Sequence, residues 1–317
     1  MHFRSAKFLR NPHLQTILPL LISQKKFSFI RDDFYFDDGD FTEIVWSENP
    51  ENKTFKHVSI LFHGLGGSIR SHYIQGMMYK LMQAGHLCVL MHFRGCGMKT
   101  NAAKRSYHAG ETEDASDFIA FLQKKFPHAK LHAVGYSLGA NMLLKLLGTY
   151  KTDSPLSSAV AISAPLELEP CTIHLSKGFA KVYQRYLLKS LKDNLLVKSQ
   201  NYDLISEWGL STKVIKDIKS IYEFDELYTA PVHGFKDAND YYTKNSSRQY
   251  LKDIATPTLM VHALDDPFMP NSVLPLKDEL SESITLELSE HGGHVGFIEG
   301  SLFKPNFWLE KRVLDFF

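Results

Sequence analysis

Ser137, Asp266 and His294 are residue types that, in this chain order, can drive a hydroxyl onto a carbonyl carbon. A serine hydroxyl is a poor nucleophile near neutral pH. It needs a histidine to take its proton, and the histidine needs a carboxylate to fix its tautomer and stabilise the imidazolium. Ser137 lies in Gly135-Tyr136-Ser137-Leu138-Gly139, a G-x-S-x-G pattern in which a sharp strand-to-helix turn pushes the hydroxyl out of a sheet. Three fixed positions in five also arise by chance, and an ordinary serine capping an ordinary helix fits them equally well. The remaining groups decide between the two readings.

Asp265-Asp266-Pro267-Phe268-Met269-Pro270 follows an apolar run over 257–264, and His291-Gly292-Gly293-His294-Val295-Gly296-Phe297 follows an alternating run over 284–288. Both turns therefore fall just past the carboxyl ends of predicted strands, where open α/β sheets gather their chemistry. Asp266 is the favoured acid because Pro267 and Pro270 fix the loop after it, which leaves Asp265 to cap the turn or a following helix. His294 is the favoured base because Gly293 and Gly296 give its loop room to approach the serine. His291 is the alternative. Two histidines at this spacing also suggest a metal site, but no further ligand cluster accompanies them, so no metal is expected.

A tetrahedral oxyanion needs donors, usually two backbone N–H groups. One belongs to the residue after the nucleophile, Leu138, and the other to a loop after an early central strand. Residues 58–62 read as that strand and His63-Gly64-Leu65-Gly66-Gly67 as the loop, with the Leu65 amide as the second donor. The loop lacks both G-x-G-x-x-G and a G-K-[ST] ending, which argues against nucleotide binding.

The elements that must position these groups can be read along the chain. Segments 27–36 and 41–46, joined by Asp37-Asp38-Gly39-Asp40, predict an antiparallel start. Strands and helices then alternate: strand 58–62, helix 73–83, strand 87–91, helix 114–125, strand 131–136, helix 138–147 and strand 158–162. Such alternation predicts a doubly wound, mainly parallel sheet. Glu111, Glu113 and Asp114 open one of these helices, where acids complement the helix dipole.

With elbow, oxyanion loop, acid and base in place, the chain resembles the α/β-hydrolase superfamily, and within it the bacterial YheT-like hydrolases, relatives of the abhydrolase-domain esterases and phospholipases. The resemblance is carried by Asn11-Pro12-His13-Leu14-Gln15-Thr16, the His63 to Gly67 loop, His92-Phe93-Arg94-Gly95-Cys96, Tyr107-His108-Ala109-Gly110-Glu111-Thr112-Glu113-Asp114 and the elbow. Gly178-Phe179, Tyr183-Gln184-Arg185-Tyr186, Asp240-Tyr241-Tyr242, Asp265 to Met269 and His291 to Phe297 extend it over nearly the whole chain. It implies an α/β-hydrolase fold and an ester hydrolase with Ser137, Asp266 and His294 as its triad.

Between 165 and 257 the alternation stops and the segment reads as helices rich in tyrosine. The expected organisation is a core of residues 1–168 and 256–317 with a helical lid inserted over 169–255. Within the lid, Lys177, Lys181, Arg185 and Lys189 recur every four residues as one basic stripe, either a solvated helix face or a surface for anionic headgroups or an acidic substrate. Aromatic and leucine-rich lid segments suit an apolar acyl chain.

Composition fits one globular enzyme: 317 residues with 44% hydrophobic content and a formal charge of +1, which gives no general attraction to nucleic acid. Three cysteines, Cys88, Cys96 and Cys171, make no disulfide framework. Cys88 reads as a buried thiol and Cys96 as a small residue that fits its turn. Arg4, Lys7 and Arg10 precede an apolar patch over 17–22, but Pro19, the shortness of the patch and the following Lys25 and Lys26 argue against a signal peptide. No apolar run is long enough to span a bilayer. The patch is expected to pack on the core or lid rather than on a membrane, and the protein to be cytoplasmic. The reaction expected is hydrolysis of a small-molecule ester through an acyl-enzyme, with no cofactor. An acyltransferase with the same triad and a catalytically silent binding protein are the alternatives.

Overall fold

The computed structural model describes residues 3–22, 26–301 and 304–317, and of Lys7 only the backbone. Lys25, on the basic flank of the apolar patch, lies outside the described residues. The strands of the main sheet are β1 (Ile30–Tyr35), β2 (Phe41–Trp46), β3 (His57–Phe62), β4 (Leu87–Met91), β5 (Lys130–Tyr136), β6 (Leu156–Ile162), β7 (Thr258–Ala263) and β8 (Ile284–Ser289). A short hairpin follows, β9 (Ile298–Ser301) with β10 (Lys304–Phe307). The sheet order is β1-β2-β4-β3-β5-β6-β7-β8. β1 pairs antiparallel with β2 and β2 with β4, and every later pairing is parallel. The expected antiparallel start and doubly wound sheet are both present.

Helices α1 (Pro12–Leu21), α2 (His72–Gln83), α3 (Thr112–Lys125) and α4 (Leu138–Tyr150) lie in the first half of the chain. After β6 come α5 (Leu168–Leu175), α6 (Ala180–Lys198), α7 (Leu204–Trp208), α8 (Thr212–Asp217) and α9 (Ile221–Phe224). A π-helical turn, Asp225–Thr229, leads from α9 into α10 (Ala230–Val232) and α11 (Ala238–Asn245), and α12 (Trp308–Phe316) closes the chain. Among the described residues, the stretch between β6 and β7 adds no strand to the sheet.

Helices cover both faces of the sheet, so its central strands are apolar on both sides. Ile60 and Phe62 of β3 enter one core with Phe118 and Leu143, while Leu61 between them enters the other with Met77, Val134 and Trp308. The order reverses at β3: the chain moves from β3 outward to β4, then crosses back to β5 on β3's other side. Phe62 and Gly135 are direct partners in the β3–β5 ladder. The loops leaving these two strands therefore emerge side by side, at the switch point where such sheets form their crevice.

Several expectations need correction. Residues 12–21 form a helix, opened by the Asn11 side chain accepting from the amides of His13 and Leu14 and by Pro12 in the first turn. Of the apolar patch, Pro19 packs inward but most of the rest does not. Gln15 is the fully buried residue, whereas Leu14, Leu20 and Leu21 are exposed, because the inner face serves a polar purpose described below. Lys177 precedes α6, so the helical part of the basic stripe is Lys181, Arg185 and Lys189.

Asp114 does more than complement a dipole. Its carboxylate takes a two-pronged contact from Arg94, in the loop after β4, at 2.7 and 2.6 Å, and the same guanidinium reaches Asp38 and Asp40 at 2.8 Å. Arg94, Asp40 and Asp114 are all buried, so each charge depends on the others for the solvation it has lost. Arg94→Ala leaves buried Asp40 without its ion-pair partner, held by Asn101 and the Ala102 amide, and Asp114 with only the longer contact to Arg105, and urea unfolding is expected to show a loss of about 3 kcal/mol.

Candidate active site

The elbow begins with a steric constraint. A methyl group on Gly135 would lie 2.6 Å from the Gly139 carbonyl oxygen, and one on Gly139 would lie 2.5 Å from the His63 carbonyl oxygen. Both are closer than carbon and oxygen approach, so only glycine lets β5 turn into α4 against the end of β3. Ser137 sits at the apex with φ 52° and ψ −118°, a conformation that costs an L-residue about 1–3 kcal/mol and that surrounding packing must hold. The amide of Ser137 donates to the Ile162 carbonyl at 2.8 Å, which ties the apex to β6.

The structure brings all three sequence-selected side chains together. Ser137 Oγ lies 3.0 Å from His294 Nε2, and His294 Nδ1 lies 2.9 Å from Asp266 Oδ2. Asp266 accepts at Nδ1–H, so Nε2 of the neutral ring is free to accept the serine proton. The Asp266 carboxylate is buried, and its other oxygen accepts from the Phe268 amide at 2.9 Å. The Phe268 ring stacks flat on His294 with centroids 3.9 Å apart. Asp265 and His291 do not join this relay. Asp265 accepts from the Gly293 amide at 2.9 Å and so braces the histidine loop, while His291 lies 3.4 Å from Asp265.

Leu65 and Leu138 border the same cavity as Ser137. In the loop after β3, the Gly64 amide donates to the Tyr73 hydroxyl (3.1 Å), that of Gly66 to the Tyr107 hydroxyl (2.9 Å), and that of Gly67 to the Gly64 carbonyl (2.9 Å). This leaves the Leu65 N–H as the unpaired donor of the turn among the described residues. Leu138, in the first turn of α4, has no intrahelical acceptor. Leu65, Leu138, Ser137 and His294 all line one cavity of about 120 Å³. The loop is held from beneath by His63, whose Nδ1–H donates to the Gly64 carbonyl and whose Nε2 accepts from the Phe93 amide. Burial pushes His63 down to about 3, so the ring stays neutral and keeps both bonds.

The histidine loop is held by α1, a role the sequence reading missed. The His294 amide donates to Thr16 Oγ1 at 2.9 Å, and the Thr16 hydroxyl donates to the Pro12 carbonyl at 2.8 Å. Gln15 accepts from the Ile298 amide (2.7 Å) and donates to the carbonyls of Leu9 and Ile298 (2.8 and 3.1 Å). The room at Gly293 and Gly296 is used by this helix rather than by the serine: methyl groups there would meet the carbonyl oxygens of Pro12 and Gln15. The available signal was a Gln-Thr pair inside a decapeptide that is otherwise apolar apart from His13.

The cavity walls are mostly apolar and come largely from the helices after β6, with Leu187, Leu191, Leu195, Phe224 and Tyr228 among them. One carboxyl stands in this wall. Asp225, at the start of the π-helical turn, accepts from the hydroxyls of Thr229 and Tyr242, both at 2.7 Å. Burial outweighs these bonds and pushes Asp225 up to about 6. Cys96 and Cys88 are thiols held protonated by burial, as expected for small fitted residues. Three further groups, His108, Glu111 and His233, lie within 4.8 Å of one another. Their setting repels a dication. Arg105 already contacts Glu111 at 3.1 Å, and His108 Nδ1 accepts from the Gly110 amide, which puts the ring proton on the nitrogen facing Glu111.

Fold and site together define a hydrolase-type scaffold, and the family model described as alpha/beta hydrolase fold matches residues 60–301. The chain belongs to the α/β-hydrolase family. Within that family it is similar to the protein named "Putative esterase YheT" of Escherichia coli (strain K12), with 47% identity over 306 residues, 96% of this chain and 89% of that one. It is also similar to phospholipase ABHD3 of Mus musculus, at 28% identity over 90% of this chain and 71% of the relative. The solved Pyrococcus furiosus esterase Pf2001 shares the fold, with a TM-score of 0.60 at 16% identity, covering 93% of this chain and 94% of that one.

Two outcomes follow from this geometry. Gly135→Ala is expected to abolish detectable turnover while purified protein remains measurable by circular dichroism, since the added methyl must displace the elbow itself. Asp225 binds its proton more tightly folded than unfolded, where its pKa is about 4. Its contribution to stability is therefore full below about pH 4 and is lost as pH rises through about 6, by up to about 3 kcal/mol. Asp225→Asn should flatten the wild-type decline in melting temperature over that window.

Proposed function

We propose that the protein is a serine carboxylesterase in which Ser137, His294 and Asp266 act as the catalytic triad. The observation that carries this reading is the unbroken relay Asp266–His294–Ser137, at 2.9 and 3.0 Å, ending at the strained apex of the elbow. In the first half-reaction Ser137 Oγ attacks the ester carbonyl while His294 Nε2 takes its proton. Asp266 holds the ring and stabilises the imidazolium, and the amides of Leu65 and Leu138 receive the oxyanion. The imidazolium then protonates the departing alkoxide, leaving an acyl-enzyme. In the second half-reaction His294 activates water, which releases the acid and restores the serine. Every group needed for these proton transfers belongs to the chain.

Residues 169–255 serve as the lid over a core of residues 1–168 and 256–317. Their leucines and aromatics favour an ester whose acyl part is apolar. The names of the two relatives, an esterase and a phospholipase, support ester chemistry of this kind. Three free cysteines suit a reducing compartment, which supports a cytoplasmic site of action. Among the described residues no helix is long and apolar enough to cross a membrane.

Ser137→Ala is expected to remove turnover of activated esters and labelling by a serine-directed fluorophosphonate together. Labelling that survives in this variant would identify a different nucleophile. Asp266→Asn presents the wrong tautomer at an intact site and should lower kcat by about 10⁴ in a steady-state ester assay.

A further inference from the structure

Helix α1 is turned inside out. Gln15 and Pro19 face the protein, while Leu14, Ile17 and Leu21, at the spacing of one helical face, are 47%, 36% and 78% exposed. Phe8, just before the helix, is 85% exposed. An ordinary surface helix does the reverse, burying its apolar stripe and wetting its polar one. Beside α1, the start of α6 exposes Phe179, Val182 and Tyr186, interleaved with Lys181, Arg185 and Lys189. Among the described residues only Lys189 of these cations is ion-paired, to Asp193 on the same helix.

These two surfaces adjoin each other and the site. The His13 ring of α1 lies 4.3 Å from that of Phe179, and His13 Nδ1 lies 2.9 Å from the Tyr183 hydroxyl. Tyr183 packs on Phe268 with centroids 4.8 Å apart, and Phe268 is the ring stacked on His294.

We propose that α1 and the start of α6 form a docking surface for an anionic lipid bilayer. The exposed leucines, isoleucine and phenylalanines enter the boundary between headgroups and acyl chains, and the α6 cations meet lipid phosphates. Charge selects this occupant over a second copy of the chain. A two-fold contact sets the same patch against itself and would oppose one cationic stripe to another, with Lys181 and Arg185 in each lacking an ion-pair partner among the described residues. Docking would bring the cavity mouth to the lipid, so that an apolar ester could enter without crossing water. The surface is inferred independently of the esterase reading, and its test needs no turnover.

The test is sedimentation of the full chain with vesicles of phosphatidylcholine alone and of equal parts phosphatidylcholine and phosphatidylglycerol. The wild type is expected to pellet with the mixed vesicles in a salt-sensitive way. The Lys181→Gln, Arg185→Gln, Lys189→Gln triple variant should lose at least about tenfold in partitioning. Ile17→Ser with Leu21→Ser should lose binding as well, and both variants should hydrolyse a soluble short-chain ester at the wild-type rate. Wild-type protein left in the supernatant, or a triple variant that binds like the wild type, overturns the proposal. So does a dimer in sedimentation velocity that the Ile17, Leu21 variant converts to monomer. Vesicle binding without any ester turnover would instead remove the esterase reading and leave the docking surface standing.

Discussion

The close approach of β5, α4 and the end of β3 is the constraint on which the site rests. Neither Gly135 nor Gly139 has space for one methyl group, and the strained backbone of Ser137 exists only because both neighbours are that small. The approach fixes Ser137 and the loop carrying Leu65 relative to each other. Gly64 comes so near that a methyl there would sit 3.2 Å from Ser137 Cβ. Switch-point topology supplies the rest, since the β3 and β5 loops leave the sheet as neighbours.

Around this point, several buried polar groups position the loops. His63 and His92 accept one amide and donate to one carbonyl each, His92 from Ile69 to Glu43, and so hold the turn after β3 at both ends. Gln15 and Thr16 do the same for the histidine loop. Arg94 gathers the β1–β2 turn and the start of α3 around one guanidinium. Each cluster is satisfied internally, which is what makes a buried polar group specify geometry instead of weakening the core.

The helices after β6 carry a core of their own, built from Leu188, Leu195, Leu204, Ile215 and Phe224 among others. They meet the catalytic end of the sheet through apolar cavity walls and through Tyr183 against Phe268. Part of this region also joins the main core, where Ala230, Ala238, Tyr241 and Tyr242 pack in one cluster with Ile60, Phe62 and Leu143.

The residues alone specify the local part: strand or helix from hydrophobic period, the elbow from its glycines, and the chain order of Ser137, Asp266 and His294. That Asp266 rather than Asp265 meets His294 Nδ1 was legible because prolines after it restrict one loop, and the turn at Leu65 because glycines follow a strand. Only the tertiary structure decided what crosses long stretches of chain. That Thr16 holds the amide of His294, 278 residues away, follows from packing and leaves no periodic trace. The same holds for α1. A run of leucines beside a proline reads as something to bury, yet the helix turns Gln15 and Thr16 toward the loop carrying His294, which needs hydrogen-bond partners there more than the core needs another leucine.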